Sequence, residues 1–347
     1  MERRRTPPGI NDAVVFGTVT TDHMFVVDFD PNTQTWGEGV IRPYDNFSMA
    51  PNAMALHYGQ MIFEGMKAYK GQHGKIHLFR PMANSKRFAQ SATMLAMQPV
   101  PDQMFVGAIE ALVKTESDWI LPAPGSLYIR PFLIPLDEGV TYRASKAYRF
   151  CVIVFPAKAY YKKEVAVSVY VERERVRAVP GGVGEAKCAG NYAGALAGLE
   201  RAKAAGADQV LWLDGKNHEN IEEVGAMNVM FVYGKTICTP KLSGSILHGI
   251  TRDSLLQLGR RLGYTMVEET LNINKVLDDI KSGHITEAFG CGTAAAVTPM
   301  EALIDRGARV QIGDGQPGTV TMRLKSELLA IQNGDVDDPF GWRHTLL

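Results

Sequence analysis

The sequence predicts an α+β protein of two domains. Three observations carry that expectation. At 347 residues the chain is long for one small core. Its first half is rich in strand-turn-strand signals. The stretch FPAKAYYKKE, with Pro156 and a knot of charge and aromatics, interrupts the periodic pattern and marks a break between domains. We expect a small N-terminal domain over 1–156, an interdomain loop over 157–167 and a larger C-terminal domain over 168–347.

Taken in order, KAYK and KIHLFR flank GQHG and read as a hairpin, because two β-prone runs are separated by a short loop with Gly at both ends. Pro81 suits the first turn of a helix, where its missing N–H has no partner to lose. That helix carries Arg87 near its start. VGAIEALVKTESDWI gives a second helix, followed by the strands SLYIRPFLI and YRFCVIVF. Beyond the break, VAVSVYV alternates apolar residues with period two, as a half-buried strand does. QVLWLD and NVMFVYG around GKNHEN read as another hairpin, and TRDSLLQLGRRLG and NKVLDDIKSG as helices.

Composition removes several functions. Lys plus Arg equals Asp plus Glu at 37 each, so charge favours neither nucleic acid nor an anionic membrane, and a small-molecule partner is expected. Four scattered cysteines form no CxxC pair, which speaks against a disulfide framework or zinc and suits a reducing compartment. No histidine spacing suggests a metal site. MERRRTPPGI supports neither a signal peptide nor a transit helix, and no run approaches the roughly 20 apolar residues of a membrane span.

Four stretches could carry chemistry. In VPGGVGEAKCAGNYAGAL, small residues leave room around Lys187, whose amine can attack a carbonyl only when unprotonated. The plain alternative is a surface lysine before an Ala-rich helix capped by Asn191. In IEEVGAMN, Glu223 opens a strand; if buried it needs a cationic partner. In LHGITRDSLL, a helix begins at Ile250 and Thr251, and its N-terminus can hold a phosphate, although Thr251 can equally be a plain N-cap. In EAFGCGTAAAVTPM, the small residues around Thr293 offer a second anion cradle. GCGTAA also fits the loose dinucleotide pattern of an NAD-linked oxidoreductase, but Pro299 cuts into the helix that pattern requires.

With LHYGQMIFEGMKAYKG, LFRPMANSKRF, SLYIRP, EAKCAGNYAGAL, EEVGAMN, GITRDS and FGCGTAAAVTP in one order, the sequence resembles the branched-chain-amino-acid aminotransferases of the fold-type IV pyridoxal 5'-phosphate group. The resemblance implies a D-amino-acid aminotransferase-like fold with the cofactor at the domain interface, and a Schiff base between Lys187 and pyridoxal 5'-phosphate. By match of motif, Arg87, Arg177, Ile250, Thr251 and Thr293 are implied to contact the phosphate, Tyr192 the ring hydroxyl oxygen and Glu223 the pyridine nitrogen. Tyr58, Phe63, Tyr128 and Tyr160 are implied to line the substrate pocket, with Arg130 behind them and Thr293 and Ala294 holding the α-carboxylate. The implied reaction moves the amino group of leucine, isoleucine or valine to 2-oxoglutarate, in a cytoplasmic homodimer in which Tyr128 and Arg130 can reach the neighbouring subunit's site.

Two departures stand out. Ala226 replaces a threonine found in some members. PLDEGVTYRASKAY is a shortened loop in which Asp137 and Glu138 replace an expected apolar residue. A D-amino-acid or (R)-amine aminotransferase of the same fold is the nearest alternative activity.

Overall fold

The computed structural model describes residues 5–9, 12, 14–71, 74–158, 166–294 and 296–346. Its strands are β1 (His23–Asp30), β2 (Thr35–Trp36), β3 (Val40–Pro43), β4 (Ile62–Phe63), β5 (Met66–Lys70), β6 (Ile76–Phe79), β7 (Ser126–Pro135), β8 (Tyr148–Ala157), β9 (Val167–Glu172), β10 (Gln209–Leu213), β11 (Ile221–Val224), β12 (Asn228–Tyr233), β13 (Thr236–Pro240), β14 (Thr265–Glu269), β15 (Glu287–Gly292), β16 (Ala296–Asp305), β17 (Ala308–Gln311) and β18 (Arg343–Thr345). The helices are α1 (Met54–Tyr58), α2 (Pro81–Met94), α3 (Asp102–Thr115), α4 (Ala189–Ala204), α5 (Ile250–Arg261), α6 (Ile273–Lys281) and α7 (Thr319–Asn333). Among the described residues no helix is long and apolar enough to cross a membrane.

The chain divides into two units, and neither is one continuous stretch. Unit 1 comprises Met1–Tyr160, Ala186–Gly190 and Ala330–Leu347; unit 2 comprises Tyr161–Glu185 and Asn191–Leu329. The segment that carries Lys187 therefore groups with the first unit. Of the expected loop over 157–167, residues 159–165 lie outside the described residues.

Unit 1 is built on a sheet in the order β18-β6-β5-β7-β8-β1-β2, with β3 added to β1 and β4 to β7. The β5–β6 hairpin is present, antiparallel with Ala68 opposite Leu78. Along β7 the side chains alternate, as a pleated strand requires. Leu127, Ile129 and Leu133 enter a cluster with Phe88, Phe105 and Phe150, while Phe132 joins a separate group around Met24 and Cys151. Tyr128 and Arg130 share the face of Phe132 by the same alternation. α2 and α3 cover the larger cluster with Phe88, Ala92, Phe105, Ile109 and Leu112. Pro81 occupies the first turn of α2, where the sequence places it.

Unit 2 contains a mixed sheet in the order β11-β10-β9-β16-β15-β12-β13-β14, with β17 on β16. Asn272 caps α6 by accepting N–H bonds from Asn274 and Lys275, and Ile273, Val276, Leu277 and Ile280 join the core of Leu211, Phe231 and Leu303. One sequence expectation is corrected here. QVLWLD and NVMFVYG are not hairpin partners: β10 pairs with β11 and β9, whereas β12 pairs with β13 and β15. A four-residue strand, IEEV, lies between them, with Glu223 in a strand as expected and both glutamates buried.

Candidate active site

In unit 1, residues 186–190 run antiparallel to β4. The Phe63 N–H donates to the Lys187 carbonyl oxygen at 3.0 Å, the Ala189 N–H donates to Met61 O at 3.0 Å, and Ile62 bridges Cys188. The Lys187 N–H donates to Ser91 Oγ at 2.9 Å. Ala186 and Cys188 enter the apolar cluster, so alternation sends the Lys187 side chain to the opposite side. There its Nζ stands 4.9 Å from the centre of the Phe63 ring. Small neighbours therefore anchor the backbone and leave the lysine half-buried.

The same ring receives a second cation, since Arg130 Cζ lies 4.5 Å from its centre and 5.4 Å from that of Tyr128. Arg130 Nη2 donates to the Tyr128 hydroxyl at 3.2 Å, while its Nε is buried without a hydrogen-bond partner. A Cβ on Gly65 would collide with the Tyr128 hydroxyl, so only glycine admits that approach. Lys187, Phe63, Tyr128 and Arg130 thus form one group. Arg87 adjoins it from α2, one turn before Ser91, with its guanidinium forked onto Glu64 through Nε at 2.6 Å and Nη2 at 2.8 Å.

Tyr58 has a different environment: it packs edge-on at 5.8 Å against Tyr142 and donates to Val140 O. Tyr160 lies outside the described residues. Asp137 closes the base of its own loop, accepting from Arg143 Nη1 at 2.6 Å and from the Lys146 and Ala147 N–H groups at 3.1 Å. Burial alone would raise this carboxyl; those bonds outweigh it and hold it below its ordinary value.

In unit 2, Glu223 is 3% exposed and its partner is cationic, as burial demands. Its Oε2 lies 3.1 Å from Arg177 Nε, and its Oε1 accepts the Leu247 N–H at 2.7 Å. Arg177 Nη2 also reaches the carbonyl oxygens of Ser245 and Gly184. The adjacent Glu222 accepts from Ser245 Oγ, and Asn228 Nδ2 donates to Leu247 O at 3.1 Å. These contacts fix the turn that runs into α5. That helix starts at Ile250 after Gly249, which provides no side-chain cap, and Thr251 is buried in its first turn. The N-cap expectation for Thr251 is therefore corrected. Asn191 likewise is no cap; it lies inside α4 and donates to Val183 O at 2.8 Å. Tyr192 follows it, half-buried.

Thr293 and Ala294 form the connection between β15 and β16, which are antiparallel neighbours. GCGTAA consequently sits in a hairpin and not at a strand-to-helix turn, which removes the structural basis of the dinucleotide reading. Burial pushes the Cys291 thiol up to about 12, so it stays protonated near neutral pH and is a poor nucleophile. Among the described residues no cluster of His, Cys, Asp and Glu could hold a metal ion.

Pyridoxal 5'-phosphate fits this donor set. The buried Arg177–Glu223 pair lies in the same unit as the α5 start, whose first-turn N–H groups receive no side-chain cap, a donor set suited to an anion. Sequence reasoning missed Glu64 and Ser91, which touch Arg87 and Lys187 in unit 1, and Asn228, which holds the turn before α5 in unit 2. Glu64 and Asn228 stood within the quoted motifs LHYGQMIFEGMKAYKG and EEVGAMN; Ser91 had no local signal.

Comparison with known proteins identifies the family. The amino-transferase class IV family matches residues 61–303. A probable branched-chain-amino-acid aminotransferase of Streptomyces coelicolor is 45% identical, covering 95% of this chain and 92% of its own. Branched-chain-amino-acid transaminase 1 of Bacillus subtilis is 43% identical over 94% and 92%. Among solved structures, the branched-chain amino acid aminotransferase of Escherichia coli superposes with a TM-score of 0.75 at 26% identity, covering 93% of this chain and 99% of that one. The branched-chain aminotransferase of Thermoproteus uzoniensis with norvaline gives 0.77 at 22%, over 94% and 100%, a likeness of fold. With the match spanning more than half its length, the chain belongs to the class IV amino-transferase family.

Proposed function

We propose that this protein transaminates branched-chain L-amino acids, passing the amino group of leucine, isoleucine or valine to 2-oxoglutarate and so making branched-chain 2-oxo acids and L-glutamate. The observation that carries the reading is the seating of Lys187, pinned through its backbone on both sides while its amine stands over Phe63. The relatives' names supply the substrate class. The same reading makes the protein a cytoplasmic homodimer.

Pyridoxal 5'-phosphate, when bound, supplies the electron sink and carries the amino group between the two half-reactions. Lys187 Nζ would hold it covalently and would serve as the base and acid that moves the α-proton. Glu223 would present negative charge to the ring nitrogen, and Tyr192 would donate to the ring hydroxyl oxygen. Arg177, Thr293 and the α5 start at Ile250 and Thr251, and Arg87 in unit 1, would be the groups that hold the phosphate dianion. Phe63 and Tyr128 would flank the substrate side chain. Arg130 supports Tyr128, and the Thr293 and Ala294 amides bind the α-carboxylate.

The test is optical. Purified protein shows a visible cofactor band that L-leucine bleaches and D-alanine does not, and Lys187→Ala abolishes the response to leucine under turnover. A protein without the band, or one bleached by D-alanine and indifferent to leucine, overturns the reading; the second outcome favours the D-amino-acid alternative.

A further inference from the structure

Glu64 matches no implied site position, yet its side chain is fully buried and its carboxylate has an ordered set of partners. Oε1 and Oε2 take the Nε and Nη2 of Arg87 at 2.6 and 2.8 Å, and Oε2 also accepts the Gly65 N–H at 3.0 Å. The Glu64 N–H donates to Pro131 O at 2.8 Å, which ties the residue to β7. Two planar groups joined by parallel bonds fix each other's orientation as well as their distance.

The contacts form a closed circuit. From Lys187 the backbone N–H leads to Ser91, one turn of α2 leads back to Arg87, the fork leads to Glu64, and the neighbouring Phe63 N–H returns to the Lys187 carbonyl. We infer that Glu64 is a positioning residue for phosphate recognition: through Arg87 Nε and Nη2 it holds the guanidinium in one orientation, fixed relative to Lys187. This rests on the reading of Arg87 as a phosphate ligand.

Charge alone makes the opposite forecast. A carboxylate beside an anion site repels the anion, so its removal would tighten phosphate binding. Positioning forecasts weaker binding. The sign of the effect decides between them, and a purely structural role would weaken binding of every ligand alike.

The experiment titrates the apo-protein with pyridoxal 5'-phosphate and with pyridoxal, which keeps the ring and aldehyde but lacks the phosphate. Glu64→Gln weakens pyridoxal 5'-phosphate about tenfold and leaves pyridoxal unchanged, a loss of one charge-assisted contact. Arg87→Gln shows the same selectivity, and the double variant binds no more weakly than Arg87→Gln alone. Glu64→Asp, which keeps the charge but withdraws it by one methylene, shows the same selective loss and serves if Glu64→Gln does not fold. Equal loss of both ligands, tighter pyridoxal 5'-phosphate binding, or an undiminished Glu64→Gln effect in the Arg87→Gln background overturns the inference. If Arg87→Gln itself leaves phosphate-dependent binding intact, the reading of Arg87 fails first and Glu64 falls with it.

Discussion

Phe63 holds Lys187 at two points: its N–H binds the lysine's carbonyl oxygen at 3.0 Å, and its ring faces the amine at 4.9 Å. Arg130 stacks on that ring at 4.5 Å, so one aromatic orders two cations. Phe63→Ala keeps the backbone bond and deletes both ring contacts. Each cation-ring contact is worth about 0.5 to 2 kcal/mol, so losing both should lower kcat/KM for leucine by about 5- to 900-fold. Steady-state kinetics measure it, and an unchanged kcat/KM would show that the ring orders neither group.

Gly249, just before α5, tests the turn. A Cβ there would collide with Asn228 Oδ1, while Asn228 Nδ2 holds Leu247 O. Overpacking of this kind costs about 1 to 3 kcal/mol. Gly249→Ala should therefore lower the urea midpoint, and adding Asn228→Ser, which shortens the clashing side chain, should restore part of it. Independent, additive losses in the double variant would refute the clash.

Lys67 on β5 provides a pH signature. It is 9% exposed, and burial lowers its amine from the ordinary 10.5 to about 8. Below about pH 8 the folded protein carries a buried charge that the unfolded chain exposes to water. Between 8 and 10.5 the folded amine is neutral while the unfolded one still binds a proton, so stability rises with pH across that window. The gap between the two values is worth about 3 kcal/mol. Lys67→Met should be more stable than wild type at about pH 7 by up to that amount, with the advantage shrinking toward pH 10.5. Denaturation curves taken at about one-unit steps from neutral pH to pH 10.5 decide it; a gain that is constant with pH would place the effect in packing.

Local signals were legible and distant pairings were not. The β5–β6 hairpin and the Pro81 helix start are decided by a few adjacent residues, and both are present. A strand at Glu223 was legible, but its pairing with β10 was not, nor was the burial of its two glutamates. Arg177, Ser245 and the Leu247 N–H, which stand far away in sequence, help offset the cost of that burial. Lys187, Arg87 and Glu223 could be found because they lie in dense motifs. The Glu64–Arg87 fork spans 23 residues and the Ser91–Lys187 bond spans 96, and neither partner's immediate neighbours announce the other.

The discontinuous make-up of unit 1 bears on the order in which the protein can be made. Ala186 and Cys188 fill its apolar cluster, and β18 completes its sheet beside β6. A ribosome delivers the stretch up to Tyr160 well before either piece, so the N-terminal unit emerges early and matures late. During that interval the edge of β6 and the hollow around Ile62 await segments still being translated. Deleting β18 (Arg343–Thr345) should accordingly lower the stability of the unit encoded first, seen as a lower denaturation midpoint, and an unchanged midpoint would show the strand is dispensable.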